Sequence, residues 1–413
     1  MKELRFMHIA DLHLDSPFVG LKHLPPFIFQ QMKDSTFKSL TQLVTVAITE
    51  KIDFLLIAGD IYDEKTQSIR AQARFIDEME RLQTENIPVY AILGNHDYND
   101  GTLISLDLPQ NVHLFSAETE TVYYKHTNGT TAAIHGFSYD KKHLIERRVE
   151  TFEKASNVDF NIALYHGEET TTGGNYAPFS RSEMLQKNFD YWALGHIHKQ
   201  DCLNEEPLIL YPGNIQGRHR KETGPKGGMI ISLSEKETKA TFYPAAAIVW
   251  EERSLTIKPD ISIDHLLQKL TAEMDKAREE SGAKVFLDVT LLIDEKLNKT
   301  VSQKIINGEV IERLQDLEQE RDDFVWVYQL KTYLNKNITV DWWQEETAYQ
   351  SHWEGAIQQL SQEQQFNDVI QEMTMQRLAR RYVDVPDTAL REQIIEDAVL
   401  LIGQLIAEEG EEK

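Results

Sequence analysis

Five short blocks of the chain carry residue types that bind metals and move protons. They are Asp11 and His13 in ADLH, Asp60 in AGD, Asn95, His96 and Asp97 in GNHD, His166 in LYHG, and His196 with His198 in GHIH. Imidazole, carboxylate and carboxamide donors together suit borderline divalent ions such as manganese, iron or zinc better than calcium or magnesium. Leaving His96 and Asp97 aside, the donors are still too many for one ion. Two ions about 3.5 to 4 Å apart, sharing one carboxylate, would use them all, clamp a phosphoryl group and activate water. Asp60 is the natural bridge, because Gly59 ahead of it lets the backbone turn tightly. His96 is then left without a ligand role. It is expected to serve as general acid or as a cation over the developing charge, with Asp97 as its orienting acceptor.

Taken singly these blocks say little. A lone DxH or GD is as well explained by chance or a capping role, and GNHD or GHIH alone by a turn with a satisfied histidine. Five blocks, each at the end of a strand, are a different matter.

The elements that must position them are legible as short apolar runs rich in β-formers: LRFMHIA, DFLLIAG, PVYAILG, FNIALYH and YWALGH, each leading into one block. Helical periodicity over FKSLTQLVTVAITEK and SIRAQARFIDEMERLQ separates the early runs, as βαβ units and a largely parallel sheet require. The carboxyl ends of strands in such sheets line the ligand crevice, so blocks distant in sequence can converge there. TTAAIHGF, LILYPG, GGMIISL and ATFYPAAAIVW are further strands without full helical crossovers. The expected fold class is therefore α/β (α+β), with a mixed sheet or sandwich covered by helices. His8 and His135 fall inside strands and are expected in the core or behind the site.

The texture changes after Ser254. Residues 1–255 form the expected metal-bearing domain, 256–337 a compact α/β accessory domain, and 338–413 a helical region. In that last region Ile394, Ile395, Ala398, Val399, Ile402, Leu405 and Ile406 make an apolar stripe at helical spacing, packing on its own chain or on a partner. With 41% hydrophobic and 27% charged residues over 413 positions, the chain is expected to be globular and multidomain. One cysteine, no secretory leader and no apolar run of membrane-spanning length point to a cytoplasmic protein with no membrane association. The net charge of -24 argues only coarsely against nucleic acid, since basic residues cluster at Lys141, Lys142, Arg147 and Arg148 and at Arg218, His219, Arg220 and Lys221. Arg218, His219 and Arg220 are the candidate substrate-binding residues, a solvated face being the alternative. The segment EETTTGGNYAPFSRSE after His166 is a mobile substrate loop or a plain surface loop.

DLH, GD, GNHD, HG and GHIH, in that order, resemble the calcineurin-like metallophosphoesterases over about the first 255 residues. The resemblance implies a metallophosphoesterase β-sandwich flanked by helices and a dinuclear metal site. By position, one ion would take Asp11, His13, Asp60 and His198, the other Asp60, Asn95, His166 and His196, and His96 would be the catalytic histidine. MHIADLHLDSPF, GDIYDEK and the long tail are more specifically similar to the SbcD-type DNA repair nucleases, and among these to the YhaO group of bacterial homologues. That similarity implies a DNA exonuclease or endonuclease using two divalent ions, with Mn2+ expected first and Fe or Zn as alternatives. It makes the accessory domain a cap that shapes DNA access, and the helices around Pro386 a docking element for an SbcC-like coiled-coil ATPase. A homodimer is kept open. Two departures matter: Glu64 stands where phosphatases acting on phosphoproteins have an arginine, and Asp63 and Glu64 stand where SbcD-type nucleases often carry a second catalytic histidine. The competing readings are a nucleotide or cyclic-nucleotide phosphodiesterase and a non-catalytic DNA-binding scaffold.

Overall fold

A computed structural model of the chain describes residues 2–18, 20–21, 23–63, 68–100, 106–293, 297–334 and 350–375, together with 390–392, 394–399 and 402. The expectations placed on Glu64, Pro386, Leu405 and Ile406 lie outside these residues.

Two compact units divide the chain: residues 1–17, 30–251 and 281–286, and residues 18–29, 252–280 and 287–413. The first contains β1 (Glu3–Ile9), most of α1 (Pro26–Thr49), β2 (Phe54–Ala58), α2 (Ile69–Thr84), β3 (Val89–Ile92), β4 (Val112–Leu114), β5 (Glu120–Lys125), β6 (Thr131–Gly136), β7 (Phe160–His166), α3 (Arg181–Gln186), β8 (Tyr191–Gly195), β9 (Asp201–Glu205), β10 (Leu208–Tyr211), β11 (Gly227–Ser234) and β12 (Thr238–Pro244). Its strands form two six-stranded mixed sheets, ordered β12-β11-β1-β2-β3-β4 and β5-β6-β7-β8-β10-β9. The run from β1 to β4 is parallel, and β11 and β12 extend that sheet antiparallel.

Alternation along each strand explains the layering. In β1 and β2, Phe6, Phe54 and Leu56 face the second sheet, where they meet Ile134, Ile162, Leu164 and Tyr191. Met7, Ile9, Leu55 and Ile57 face the other way, onto Leu40, Leu43, Val44 and Ala47 of α1 and Phe75, Met79 and Leu82 of α2. The outer face of the second sheet is covered by an aromatic layer: Tyr165 and Trp192 pack with Phe137, Phe152, Phe179 and Phe189. Strands buried on both faces read as continuous apolar runs, which is why LRFMHIA and FNIALYH stood out.

Register then places the site. Ile9 pairs with Ile57, Ala58 with Ile92, and His166 with Gly195. The carboxyl ends of β1, β2 and β3 are therefore level, as are those of β7 and β8, and each ends in one of the five blocks.

Two expectations need correction, and one strand was not expected at all. The helix expected from Phe37 begins at Pro26, where a fixed φ and a missing N–H suit a first helical position, and its added turns bury Ile28 and Met32. ATFYPAAAIVW is not one strand: β12 ends at Pro244 and the next strand, β13 (Ile248–Thr256), starts four residues later. The segment ETVYYK, unassigned from sequence, is β5, an edge strand whose half-exposed face weakens the apolar signal.

The second unit holds α4 (Ile263–Ser281), most of β14 (Lys284–Ile293), α5 (Lys299–Ile306), α6 (Glu309–Asp316), β15 (Val325–Leu334), α7 (Gln350–Leu360) and α8 (Glu363–Met375). β13, β14 and β15 form a three-stranded sheet. Of the C-terminal apolar stripe, Ile395 and Val399 are buried with Phe366, against Trp353, Ile357, Leu360 and Ile370. These two residues pack on their own chain. No helix among the described residues is long and apolar enough to cross a membrane.

Candidate active site

The strand ends deliver their side chains through turns held in costly backbone conformations. Asp11 (φ 52), His13 (φ 43), Asp60 (φ 50) and His196 (φ 105) all occupy positive φ, each at a cost of about 1 to 3 kcal/mol for a residue with a Cβ. Backbone hydrogen bonds hold them there: Asp11 N–H donates to Gly59 O at 3.1 Å and His13 N–H to Asp60 O at 3.0 Å. The His196 N–H donates to the Asp11 carboxylate at 3.0 Å. Gly59 (φ +91) is required for a second reason besides the turn, since a Cβ there would sit 2.3 Å from His166 Nδ1.

All seven proposed metal ligands and His96 converge. His13 Nε2 lies 3.0 Å from His198 Nε2 and 3.8 Å from Asp60 Oδ2. His166 Nε2 lies 3.5 Å from Asp60 Oδ2 and 3.0 Å from Asn95 Oδ1, which is also 3.0 Å from His196 Nδ1. Three sets of potential ligand atoms fall within 4.8 Å of one another: Asp11, His13 and His198; His13, Asp60 and His96; and Asp11, Asp60 and His166. Asp60 touches both halves of the cluster, as a bridging carboxylate must.

The donor chemistry fits divalent cations. His198 Nδ1 is 2.7 Å from Glu222 Oε1 and His13 Nδ1 is 2.9 Å from Asp63 Oδ1, the latter off the line of a well-formed hydrogen bond. A carboxylate accepts, so the His198 ring turns its proton outward to Glu222 and its Nε2 lone pair inward, while the His13 Nδ1 makes no hydrogen bond. That lone pair faces His13 Nε2 at 3.0 Å. Likewise His166 Nδ1 meets the Ala58 carbonyl at 2.9 Å, which leaves its Nε2 lone pair against the Asn95 carboxamide oxygen. Acceptors turned on acceptors are unfavourable alone and are what a cation between them resolves.

Electrostatics agree. Burial, then Arg218 and the neighbouring imidazoles, hold His13 well below the ordinary histidine range. Burial and His166 bring His196 down to about 3. Burial works to raise Asp60, but His166 and His96 outweigh it and hold its carboxyl below the usual value. Burial likewise opposes charge on Glu222, yet its bond to His198 brings it down to about 2, and the same bond raises His198 against its own burial. Neutral His13 and His196 beside an ionised Asp60 are ready to ligate, whereas burial raises Asp11 and His198 is raised by its bond to Glu222. Perturbed groups concentrated in one place also mark a functional site.

Two sequence expectations change here. Asp97 is not the acceptor for His96. It is fully buried and accepts the backbone N–H of Gly94 (2.7 Å), Ile61 (2.7 Å) and Tyr62 (3.2 Å), tying the GNHD turn to the segment after Asp60. Burial and then Asp60 push its carboxyl up to about 7. His96 Nδ1 instead lies 2.9 Å from Asp63 O, and its backbone N–H donates to Asp60 Oδ1 at 2.9 Å. The substrate-binding expectation for Arg218 meets a competitor, because its guanidinium is salt-bridged to Asp63. His219 is exposed and lies 3.5 Å from Glu222, and Arg220 is half-exposed. Of the other basic residues, Arg147 pairs with Glu183 and Arg148 with Glu118.

The segment after His166 is anchored on both sides. Glu168 Oε1 accepts from the N–H of Asn175 and Tyr176, and the Tyr176 ring lies 4.7 Å from the His196 ring. Glu222 was not singled out from sequence: it stands 24 residues beyond His198 in no motif, so nothing local marks it. His8 meets Tyr191 Oη at 2.8 Å and Leu194 O at 3.1 Å, and His135 is buried beside Asn161.

Residues 4–200 match the family model described as calcineurin-like phosphoesterase. An uncharacterized metallophosphoesterase of Bacillus subtilis, YhaO, is 36% identical over 346 residues, covering 82% of this chain and 84% of the relative. A DNA double-strand break repair protein Mre11 from Thermoplasma acidophilum is 22% identical over 246 residues, 56% of this chain and 62% of that one. Its counterpart from Sulfurisphaera tokodaii is 26% identical over 254 residues, 57% and 61% of the two chains.

Proposed function

The chain belongs to the calcineurin-like phosphoesterases and is a metal-dependent phosphoesterase, and from that premise we propose that it is a manganese-dependent nuclease acting on DNA. The observation that carries the phosphodiester reading is the Asp63–Arg218 salt bridge beside the ligand cluster. A phosphomonoester dianion calls for a further side-chain cation beside the metal pair, whereas Arg218 is already matched by a carboxylate and a singly charged diester asks for less. The similarity to two Mre11 proteins named for double-strand break repair supports DNA as the diester.

Asp11, His13, Asp60 and His198 would hold one divalent ion, and Asp60, Asn95, His166 and His196 the other. Such a pair supplies positive charge to the phosphoryl oxygens and lowers the pKa of a water. Mn2+ suits the mixed nitrogen and oxygen donors, with Fe or Zn as the alternatives. The chain's own residues do the rest. Asp63 O accepts the His96 Nδ1 proton, which leaves Nε2 to carry a second proton to the leaving oxygen. Asp97, through three backbone N–H groups, keeps the turn bearing Asn95 and His96 against the one bearing Asp60.

His96→Ala is therefore expected to keep two equivalents of metal and to lose cleavage of end-labelled duplex or single-stranded DNA in Mn2+. Loss of metal in that variant would return His96 to the ligand shell. Wild-type activity confined to cyclic nucleotides would keep the chemistry and discard DNA. The same reading assigns the helical C-terminal region to an SbcC-like ATPase, supported by the apolar surface left at Val369 and Ile394, and a pull-down with that ATPase tests it. A homodimer is the alternative use of that surface. A cytoplasmic location is supported by the single, unpaired Cys202.

A further inference from the structure

The loop from Asn214 to Glu222 does something the ligand set does not explain. Glu222, itself buried, places Oε1 2.7 Å from His198 Nδ1. Its other oxygen accepts the Arg218 backbone N–H at 2.6 Å and Asn214 Nδ2 at 2.9 Å. The Arg218 guanidinium reaches the opposite way, to Asp63. Asp63 in turn lies 2.9 Å from His13 Nδ1, close enough for charge to act though not aligned as a hydrogen bond, takes the Ser16 hydroxyl at 3.3 Å, and offers its carbonyl to His96. Residue 218 thus joins, through its backbone on one side and its side chain on the other, the two carboxylates that stand behind His13 and His198.

The opposite half of the cluster is built differently. His166 Nδ1 meets the neutral Ala58 carbonyl at 2.9 Å, and the His196 ring lies against the Tyr176 ring. A carboxylate behind a ligating imidazole fixes the tautomer and raises its basicity more than a neutral acceptor does.

We propose that Asp63 and Glu222 are positioning residues that back His13 and His198, that Arg218 joins them into one clamp, and that the divalent ion held by those two histidines is the more tightly held of the pair. This rests on the dimetal reading given above, and the test separates the two.

The experiment is a Mn2+ titration of metal-stripped full-length protein, followed by calorimetry and by the electron paramagnetic resonance signal of free Mn2+. It compares wild type with Glu222→Gln, Asp63→Asn, Arg218→Met and Glu222→Asp, each checked for native near-ultraviolet circular dichroism. Wild type is expected to show two classes of site. Glu222→Gln and Asp63→Asn should each weaken the tighter class by about 10- to 100-fold and leave the weaker one in place. Arg218→Met should weaken the same class, and Glu222→Asp, which keeps the charge, should recover part of what Glu222→Gln loses. Folded variants whose tighter class is unchanged, or which lose the weaker class instead, overturn the clamp, as does a wild type that binds two ions equally. A wild type that binds fewer than two ions overturns the dimetal reading and the clamp with it. If Glu222→Gln does not fold, Asp63→Asn and Arg218→Met decide.

Discussion

Gly94→Ala probes the cluster with a single methyl group. The new Cβ would lie 2.2 Å from Asp60 Oδ1 and 2.7 Å from His166 Nε2, whereas ordinary contact begins at 3.4 Å. The Asp60 oxygen must therefore retreat by more than an ångström, and it has nowhere to go, because Asp60 and His166 are 1% and 0% exposed. Gly94 does not occupy positive φ, so the variant tests the clash and not the backbone. Moving that oxygen also breaks its bond from the His96 N–H. A misplacement of about 1 Å at a reacting centre costs about 100-fold in rate, or about 2.7 kcal/mol in the barrier. The assay is hydrolysis of bis(p-nitrophenyl) phosphate in Mn2+, beside metal content after dialysis and thermal unfolding. We expect a folded protein with weakened metal binding and kcat/KM down by about two orders of magnitude. A Gly94→Ala enzyme with two ions and wild-type kcat/KM would refute the placement of Asp60 and His166 at the centre of the chemistry.

Gly355→Ala is the matched control, since a Cβ in the middle of α7 meets nothing within 4 Å. It should leave activity alone and stabilise the helix by up to about 1 kcal/mol, and a lowered melting temperature would count against the described α7. His8 supplies a pH dependence. Burial brings its folded pKa from 6.5 down to about 3, so between those values the unfolded chain binds a proton that the folded chain does not. The stability contributed by neutral His8 is complete above pH 6.5 and is lost as pH falls toward 3, by up to about 1.4 kcal/mol per pH unit. The stability gap between wild type and His8→Gln in urea should therefore narrow as pH falls from 7 to 5, and a constant gap would show that His8 is not buried in its neutral form.

Much of the site was legible because its chemistry is written in residue type and strand position. A carboxylate or imidazole directly after an apolar run lies at a strand's carboxyl end, and parallel register brings such ends level whatever their separation in sequence. That logic reached Asp11, His13, Asp60, Asn95, His96, His166, His196 and His198, and the sandwich that gathers them. It failed where local pattern is weak, as at the edge strand β5 and the first turns of α1.

What only the tertiary structure decided is which polar atoms meet across loops. Adjacency suggested that Asp97 serves His96, but the turn geometry aims its carboxylate backward at three backbone N–H groups. Arg218 read as a free cation for substrate, and folding commits it to Asp63. Glu222 had no signature, since a carboxylate that acts through another residue's ring needs no spacing to its partner, only a loop that returns to it. Donor types and strand ends are properties of the chain read locally. Hydrogen-bond partners among loops depend on directions of a few degrees and distances of a few tenths of an ångström, which nothing short of the folded packing sets.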